Sequence, residues 1–401
     1  MNKKTGPTTE KQRYQILDLL RGFSLIGIAL ANFPEFALWS FLSPAEQAAM
    51  PTAAVDRVAR FVQYLLVDGK FYTIFSLLFG VGFSLILARH GRRLFVRRML
   101  LLMVIGFLHL MFIWSGDILL LYAVGGLLLT LFVGFTDRQL LLLAVSLLFV
   151  PVGLDALTEF CGVQFATPFY DAWWRSAAEQ GINETNFASW LRDAHTYGEM
   201  FAFLIQGAHE RIWEFVVGHR LPKVLALFIL GYLIGKNKLY SRLHELPMKR
   251  AFFDAFLVGF PTSVAYAWSA THDHPWGLTV HSLLYAVSVV PMALSFVTGL
   301  AMLFRRHQHL VLFRWLAAPG RMALSNYISQ SLLGVALFYG LGLGLGTSFG
   351  FVHAEMTALA CFVVQTVCSL VWLRFFLFGP LEWLWRMLTY GRYFPIKRPS
   401  K

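Results

Sequence analysis

Ten separate stretches of this chain are apolar over the length a helix needs to cross a bilayer, about 20 residues. They are 15–37, 71–90, 98–115, 117–135, 139–159, 222–236, 251–270, 278–304, 321–341 and 355–378. The stretch at 222–236 is short, which leaves its start open by several residues. Lipid offers no hydrogen-bond partner to an exposed backbone amide, so stretches of this kind cross as helices. The expected fold is therefore all-α: a polytopic membrane bundle of about ten transmembrane helices. No linker divides it, so residues 1–401 read as a single transmembrane domain. Composition agrees with this reading. Only 14% of the residues are charged, 57% are hydrophobic, and the mean hydropathy is +0.59. A soluble domain carries about 25% charged residues.

The formal net charge of +12 would by itself suggest a nucleic-acid partner. Its distribution argues against one, because the basic residues cluster between apolar segments. Loops facing the cytoplasm are enriched in Lys and Arg. The N-terminal tail holds Lys3, Lys4, Lys11 and Arg13. Segment 89–98 holds Arg89, Arg92, Arg93, Arg97 and Arg98, and segment 236–250 holds Lys236, Lys238, Arg242, Lys249 and Arg250. Arg305, Arg306, Arg314 and Arg321 follow, then Arg392, Lys397, Arg398 and Lys401 in the C-terminal tail. The opposite connections at 271–277 and 342–354 contain neither Lys nor Arg. One frame satisfies every basic loop: both termini in the cytoplasm.

The long opposite loop, 160–221, is mixed in charge and carries Trp173, Trp174 and Trp190. Within it, 196–218 alternates Phe201, Phe203, Ile212 and Trp213 with Glu199, Glu210, Arg211 and Glu214, the pattern of an amphipathic interfacial helix. The first apolar stretch is too long for a secretory signal and lacks a small-residue cleavage site, so it reads as a retained helix. Cys161, Cys361 and Cys368 form neither a disulfide framework nor a metal-ligand pattern.

Ionisable and strongly polar groups inside a membrane are costly, so each is a functional candidate. Asp18 and Arg21 share a helix face, with Asn32 nearly four turns further along it. Two readings stand: an ion pair that eases insertion together with a packing Asn, or part of a site. His109 lies about two turns below the expected external surface, and Asp117 follows a tight Ser115-Gly116 turn. An imidazole there serves as base, acid or nucleophile, or simply bonds a neighbouring helix. Asp117 suits an N-cap. Lys70 opens the second span, where its long stem would let the ammonium snorkel to the interface. Arg321 precedes Asn326 and Gln330, which are i, i+4 on one face. Two such amides either bind a polar ligand or join helices. Phosphate-loop, H-E-x-x-H and G-x-S-x-G motifs are absent, and no metal site is expected; His272 and His274 alone share a short loop.

Several stretches together resemble the YeiB-like family of bacterial inner-membrane proteins. They are Leu17-Asp-Leu-Leu-Arg-Gly, Lys70-Phe-Tyr-Thr-Ile-Phe-Ser-Leu-Leu-Phe-Gly, the run from His109 to Leu119, Gly320-Arg-Met-Ala-Leu-Ser-Asn-Tyr and Gly379-Pro-Leu-Glu-Trp-Leu-Trp-Arg. That family is distantly similar to transmembrane acyltransferases of the heparan-glucosaminide N-acetyltransferase type. The resemblance implies a multi-pass protein of the bacterial inner membrane with a central cavity. It also implies acyl-CoA as a cytoplasmic donor, no permanently bound cofactor, and an external acceptor: a glycan, a lipid or a small molecule. His109 would be the base or acyl-accepting nucleophile, with Asp117 orienting it. Asp18, Arg21, Asn32, Lys70, Arg321, Asn326 and Gln330 would bind donor or acceptor. Arg97 and Arg98 lie on the side where CoA phosphates arrive. The expected partners are membrane lipid and these substrates, not nucleic acid, with homo-oligomerisation left open. The rival reading is a transporter or lipid-handling protein whose polar residues line a pathway.

Overall fold

The computed structural model describes residues 14–242 and 245–399, so Lys3, Lys4, Lys11, Arg13 and Lys401 lie outside the described residues. The chain forms α1 (Gln15–Phe36), α2 (Pro44–Ala49), α3 (Ala53–Leu66), α4 (Lys70–Phe112), α5 (Leu119–Leu129), α6 (Asp137–Cys161), α7 (Thr167–Glu179) and α8 (Phe187–Asp193). It continues through α9 (Tyr197–Val217), α10 (Arg220–Lys236), α11 (Met248–Thr271), α12 (Gly277–Arg306), α13 (Val311–Arg321), α14 (Ala323–Phe338), α15 (Phe351–Phe375) and α16 (Pro380–Tyr390). Among the described residues there is no strand beyond an isolated bridge between Phe376 and Lys397.

Helices α1, α6, α12 and α15 are each long and apolar enough to cross a membrane, as is the stretch 53–112. They mark the chain as a membrane protein. Apolar stretches of similar length have different surroundings. The apolar window of α1 is 61% buried against protein, that of α6 only 17%. Leu141, Leu142, Val145 and Phe149 of α6 face outward. An exposed apolar face of this extent belongs against lipid, so α1 is a central helix and α6 a peripheral one.

The expected break between the second and third spans occurs inside α4, at Gly91, whose φ of 78° and ψ of 177° interrupt the helix. The rings of Phe83 and Phe95 lie 4.4 Å apart. A straight helix would separate these positions by about 18 Å, so the chain bends sharply at Gly91. The basic segment 89–98 belongs to this bend and not to an open loop.

Other elements differ from the sequence reading. The 321–341 stretch holds one helix, α14, of only 16 residues; the segment before it, read as a loop at 305–321, holds α13, and Met322 separates the two. The 117–135 stretch is shorter than a full span: α5 is followed by a 3₁₀ turn, Thr130–Phe132. The connection after α1 contains α2 and α3, and the C-terminal tail contains α16. The 196–218 pattern becomes α9, opened by a capping box in which Thr196 and Glu199 satisfy each other's backbone amides. At His219, with φ of 47°, α9 turns into α10 through a bend of 66°, and the two together have the length and apolarity of a broken span or a re-entrant loop.

Two glycines set the closest approach in the bundle. A Cβ on Gly22 would lie 1.7 Å from the Leu316 carbonyl oxygen, and one on Gly320 would lie 1.9 Å from that of Asp18. Helices α1 and α13 therefore meet backbone to backbone. On the other side of α4, Phe79 stacks on Phe228 of α10 at 4.3 Å, and Tyr122 of α5 meets the same ring edge-on.

Candidate functional site

A cavity of about 420 Å³ runs through the middle of the bundle. Arg21 and Glu35, both on α1, line it. They are separated by roughly four helical turns, so the cavity extends over much of a bilayer's apolar depth. Its waist is aromatic, with Phe71, Tyr72, Phe75, Phe79 and Tyr122 in the wall.

One end is basic. Arg21, Arg98, Arg321 and Arg386 all reach it, together with one carboxylate, Glu382. Arg98 lies within electrostatic range of Arg21, Arg386 and Glu382. Its guanidinium sits 3.5 Å over the Trp385 ring, whose Nε1–H donates to the Arg98 carbonyl at 3.1 Å. The Glu382 carboxylate accepts from the amides of Leu324 at 2.7 Å and Ser325 at 3.1 Å, and from the Ser325 hydroxyl at 2.6 Å. These bonds fill the N-terminus of α14 that the break at Met322 exposes. Four segments that the sequence places on the cytoplasmic side thus contribute to one end of one cavity.

The other end is mixed. Glu35, Asp68, Asp117 and Glu214 line it opposite Arg211 and Arg220. Arg211 pairs with Glu214 on the next turn and donates through Nε to the Ser115 carbonyl at 3.1 Å. Asp117 is wholly buried. Its Oδ1 lies 2.9 Å from His109 Nδ1, and its Oδ2 accepts the Leu120 amide at 2.7 Å. It therefore caps the start of α5 and holds the imidazole at once. His109 Nε2 is 2.9 Å from Ser331 Oγ of α14. With Asp117 ionised, Nδ1–H donates to it, and a neutral ring then leaves Nε2 to accept the Ser331 proton. Hydroxyl, imidazole and carboxylate thus form one buried chain, and its carboxylate is the member in the cavity wall.

The sequence candidates divide accordingly. Arg21, Asn32, Asp117 and Arg321 line the cavity. His109 stands behind Asp117 and is 1% exposed. Asp18 accepts from Arg21 at 3.0 Å but opens onto a second cavity. Lys70 does not snorkel. Fully buried, it donates to the Tyr64 carbonyl at 2.7 Å and lies 4.9 Å from the Tyr266 ring centre. Capture by the end of α3, an element absent from the sequence reading, outweighs the reach of its stem. Asn326 donates to Ser369 at 3.0 Å, and Gln330 donates to Gln365 at 3.2 Å. Gln365 donates back to the Asn326 carbonyl and to Ser329. Both amides therefore join α14 to α15, which is the helix-joining alternative.

The residues that sequence reasoning missed are Glu35, Asp68, Glu214, Arg220, Glu382 and Arg386. Glu35 carried a usable signal, as a carboxylate inside an apolar stretch next to Pro34. Glu382 and Arg386 stood in what read as a tail, and only the unforeseen α16 brings them inward.

Comparison with known proteins places this architecture among similar chains. A family model described as "Protein of unknown function (DUF418)" matches residues 234–392. An uncharacterized protein YxaH of Bacillus subtilis (strain 168) is 28% identical, over 98% of each chain. An uncharacterized 39.9 kDa protein from the amylase 3′ region of Bacillus acidopullulyticus is 29% identical, over 97% of each. The uncharacterized protein YeiB of Escherichia coli (strain K12) is 29% identical, over 94% of this chain and 96% of its own. No solved structure matches. The similarities to these three relatives run nearly end to end.

Proposed function

We propose that the protein is a membrane acyltransferase of the bacterial inner membrane. In this reading it moves an acyl group from cytoplasmic acyl-CoA to a glycan, lipid or small-molecule acceptor at the external face. The observation that carries the reading is the single cavity joining four arginines at one end to the Asp117–His109 pair at the other. Guanidinium groups are the preferred partners of phosphates, and the aromatic waist suits an uncharged acyl-pantetheine arm. Transfer forms a bond between the acyl carbon and an acceptor oxygen or nitrogen and breaks the thioester C–S bond. The acceptor's proton passes to the Asp117–His109 pair, and the departing CoA thiolate takes up a proton. His109 acts as the base or acyl-accepting nucleophile once it exchanges its bond to Ser331 for one to the acceptor, and Asp117 orients its ring.

The test is acyl-CoA consumption by purified protein in nanodiscs, wild type against His109→Ala, with melting temperature as the folding control. The proposal expects turnover in the wild type and its loss in a folded variant. Absence of acyl-CoA binding by the wild type would overturn it. One observation favours a transporter as the second reading: the broken α9–α10 pair brings Arg211, Glu214 and Arg220 to the cavity, as interrupted helices do in transporters.

A further inference from the structure

A second cavity, of about 580 Å³, opens at the basic end of the bundle, between α1, α13 and α15. It is separate from the central one, although Arg321 lines both. Arg314 of α13, Arg321 and Arg374 of α15 are in its wall, and Asp18 is the single carboxylate. Asp18 is already bonded to Arg21 at 3.0 Å. Among the described residues, Arg314 and Arg374 are exposed and have no hydrogen-bond or ion-pair partner. Two unpartnered guanidinium groups, Arg314 and Arg374, therefore face this space.

The rim of this space is apolar. Val311 is 60% exposed and Leu312 54%, on the same short helix as Arg314. Trp315, beside Arg314, is 41% exposed and lines the cavity. On α15, Val367 and Val371 lie outward above Arg374. Arginines at the level of an exposed Trp, with aliphatic side chains one or two turns away along a spanning helix, reproduce the profile of a bilayer leaflet. The order is charge, then aromatic ring, then hydrocarbon. A soluble anion would use the arginines and leave the apolar rim unexplained. Positive-inside topology accounts for basic residues on this side, but not for their convergence on one cavity between helices.

We propose that this cavity is a binding site for the phosphate headgroup of an anionic phospholipid in the leaflet at the basic end. The phosphate sits between Arg314 and Arg374, and the acyl chains run along α15 and the outer face of α13. This site is independent of the activity proposed above.

The experiment is a titration of detergent-purified full-length protein with phosphatidylglycerol, read by native mass spectrometry and by melting temperature. Phosphatidylcholine and inorganic phosphate serve as comparison ligands. Each basic residue near a lipid surface strengthens binding about fivefold, so Arg314→Gln with Arg374→Gln should weaken phosphatidylglycerol about thirtyfold. Both side chains are exposed, so the double variant should fold. Arg92→Gln with Arg93→Gln removes the same charge from another exposed basic site and should leave the affinity unchanged. Equal losses in the two double variants would overturn the site in favour of diffuse surface charge. An equal melting shift with inorganic phosphate would overturn the lipid assignment, and an equal shift with phosphatidylcholine, whose phosphate is neutralised by its own choline, would overturn the anionic-headgroup assignment. If Arg314→Gln with Arg374→Gln proves unstable, Arg374→Gln alone should still weaken binding about fivefold. No change in that single variant would reject the proposal.

Discussion

The two ends of the central cavity are built in opposite ways. At the basic end the charges are nearly all of one sign, and four arginines face a single carboxylate, Glu382, whose oxygens already hold the start of α14. At the other end acids and bases are interleaved, with Arg211 paired to Glu214 and Asp117 bonded to His109. A cluster mostly of one sign makes a positive potential that attracts an anion, even with Arg21 paired to Asp18. An interleaved cluster is internally compensated, and it favours proton exchange over ion capture. Binding and chemistry are thus expected at different ends, and substitutions can separate them.

The largest effect is expected from His109→Ala. If the compensated end performs acid–base work, turnover should fall by about 10² to 10⁴, while acyl-CoA affinity measured by calorimetry stays unchanged. A loss of affinity without a loss of turnover would reverse the assignment of the ends. Arg98→Gln combined with Arg386→Gln comes next. A charge-assisted hydrogen bond contributes about 1.5–3 kcal/mol, so removing these partners should weaken acyl-CoA binding by roughly tenfold or more. Turnover at saturating donor should be nearly unaffected, and unchanged affinity would show that the one-sign end does not receive the donor phosphates. Asp117→Asn should cost less turnover than His109→Ala, because the amide oxygen can still cap α5 while its NH₂ no longer accepts from Nδ1. A drop in melting temperature with full turnover would reduce Asp117 to a cap, a role worth about 1 kcal/mol. The smallest effect belongs to Asn326→Ala. It removes the bond to Ser369 and should cost about 0.6 kcal/mol of stability, seen as a slight melting shift with turnover intact.

The bundle was legible in the sequence because its determinant is local. Twenty apolar residues need a membrane wherever they lie in the chain, and α1, α6, α11, α12 and α15 fall where the hydropathy puts them. The His109–Asp117 pair was half legible: one tight turn separates the two residues, but the sequence left the distance between them open. What the sequence hid depends on packing between distant segments. Helix α13 was hidden because Arg305, Arg306, Arg314 and the Pro319-Gly320 pair read as a basic loop ahead of the span that begins at 321. Lys70 looked like an interfacial cation because α3, which captures it, was not foreseen. Asn326 and Gln330 were ambiguous in principle: a polar face on one helix has no stated purpose until the facing residues of α15, Gln365 and Ser369, are known. Glu382 and Arg386 enter the cavity wall only through the fold of α16.

The contact between Gly22 and Gly320 has a consequence for motion. With backbone against backbone, α1 and α13 have no room to slide: a shift of one residue would drive a side chain into a carbonyl oxygen. The pair is therefore a stator, a fixed wall shared by both cavities. Whatever moves to admit a ligand must move against it, and two helix breaks lie away from it: the bend of α4 at Gly91 and the 66° break between α9 and α10. One break belongs to the basic segment and the other to the helix pair carrying Arg211 and Glu214. Each end of the cavity thus has a helix break beside it.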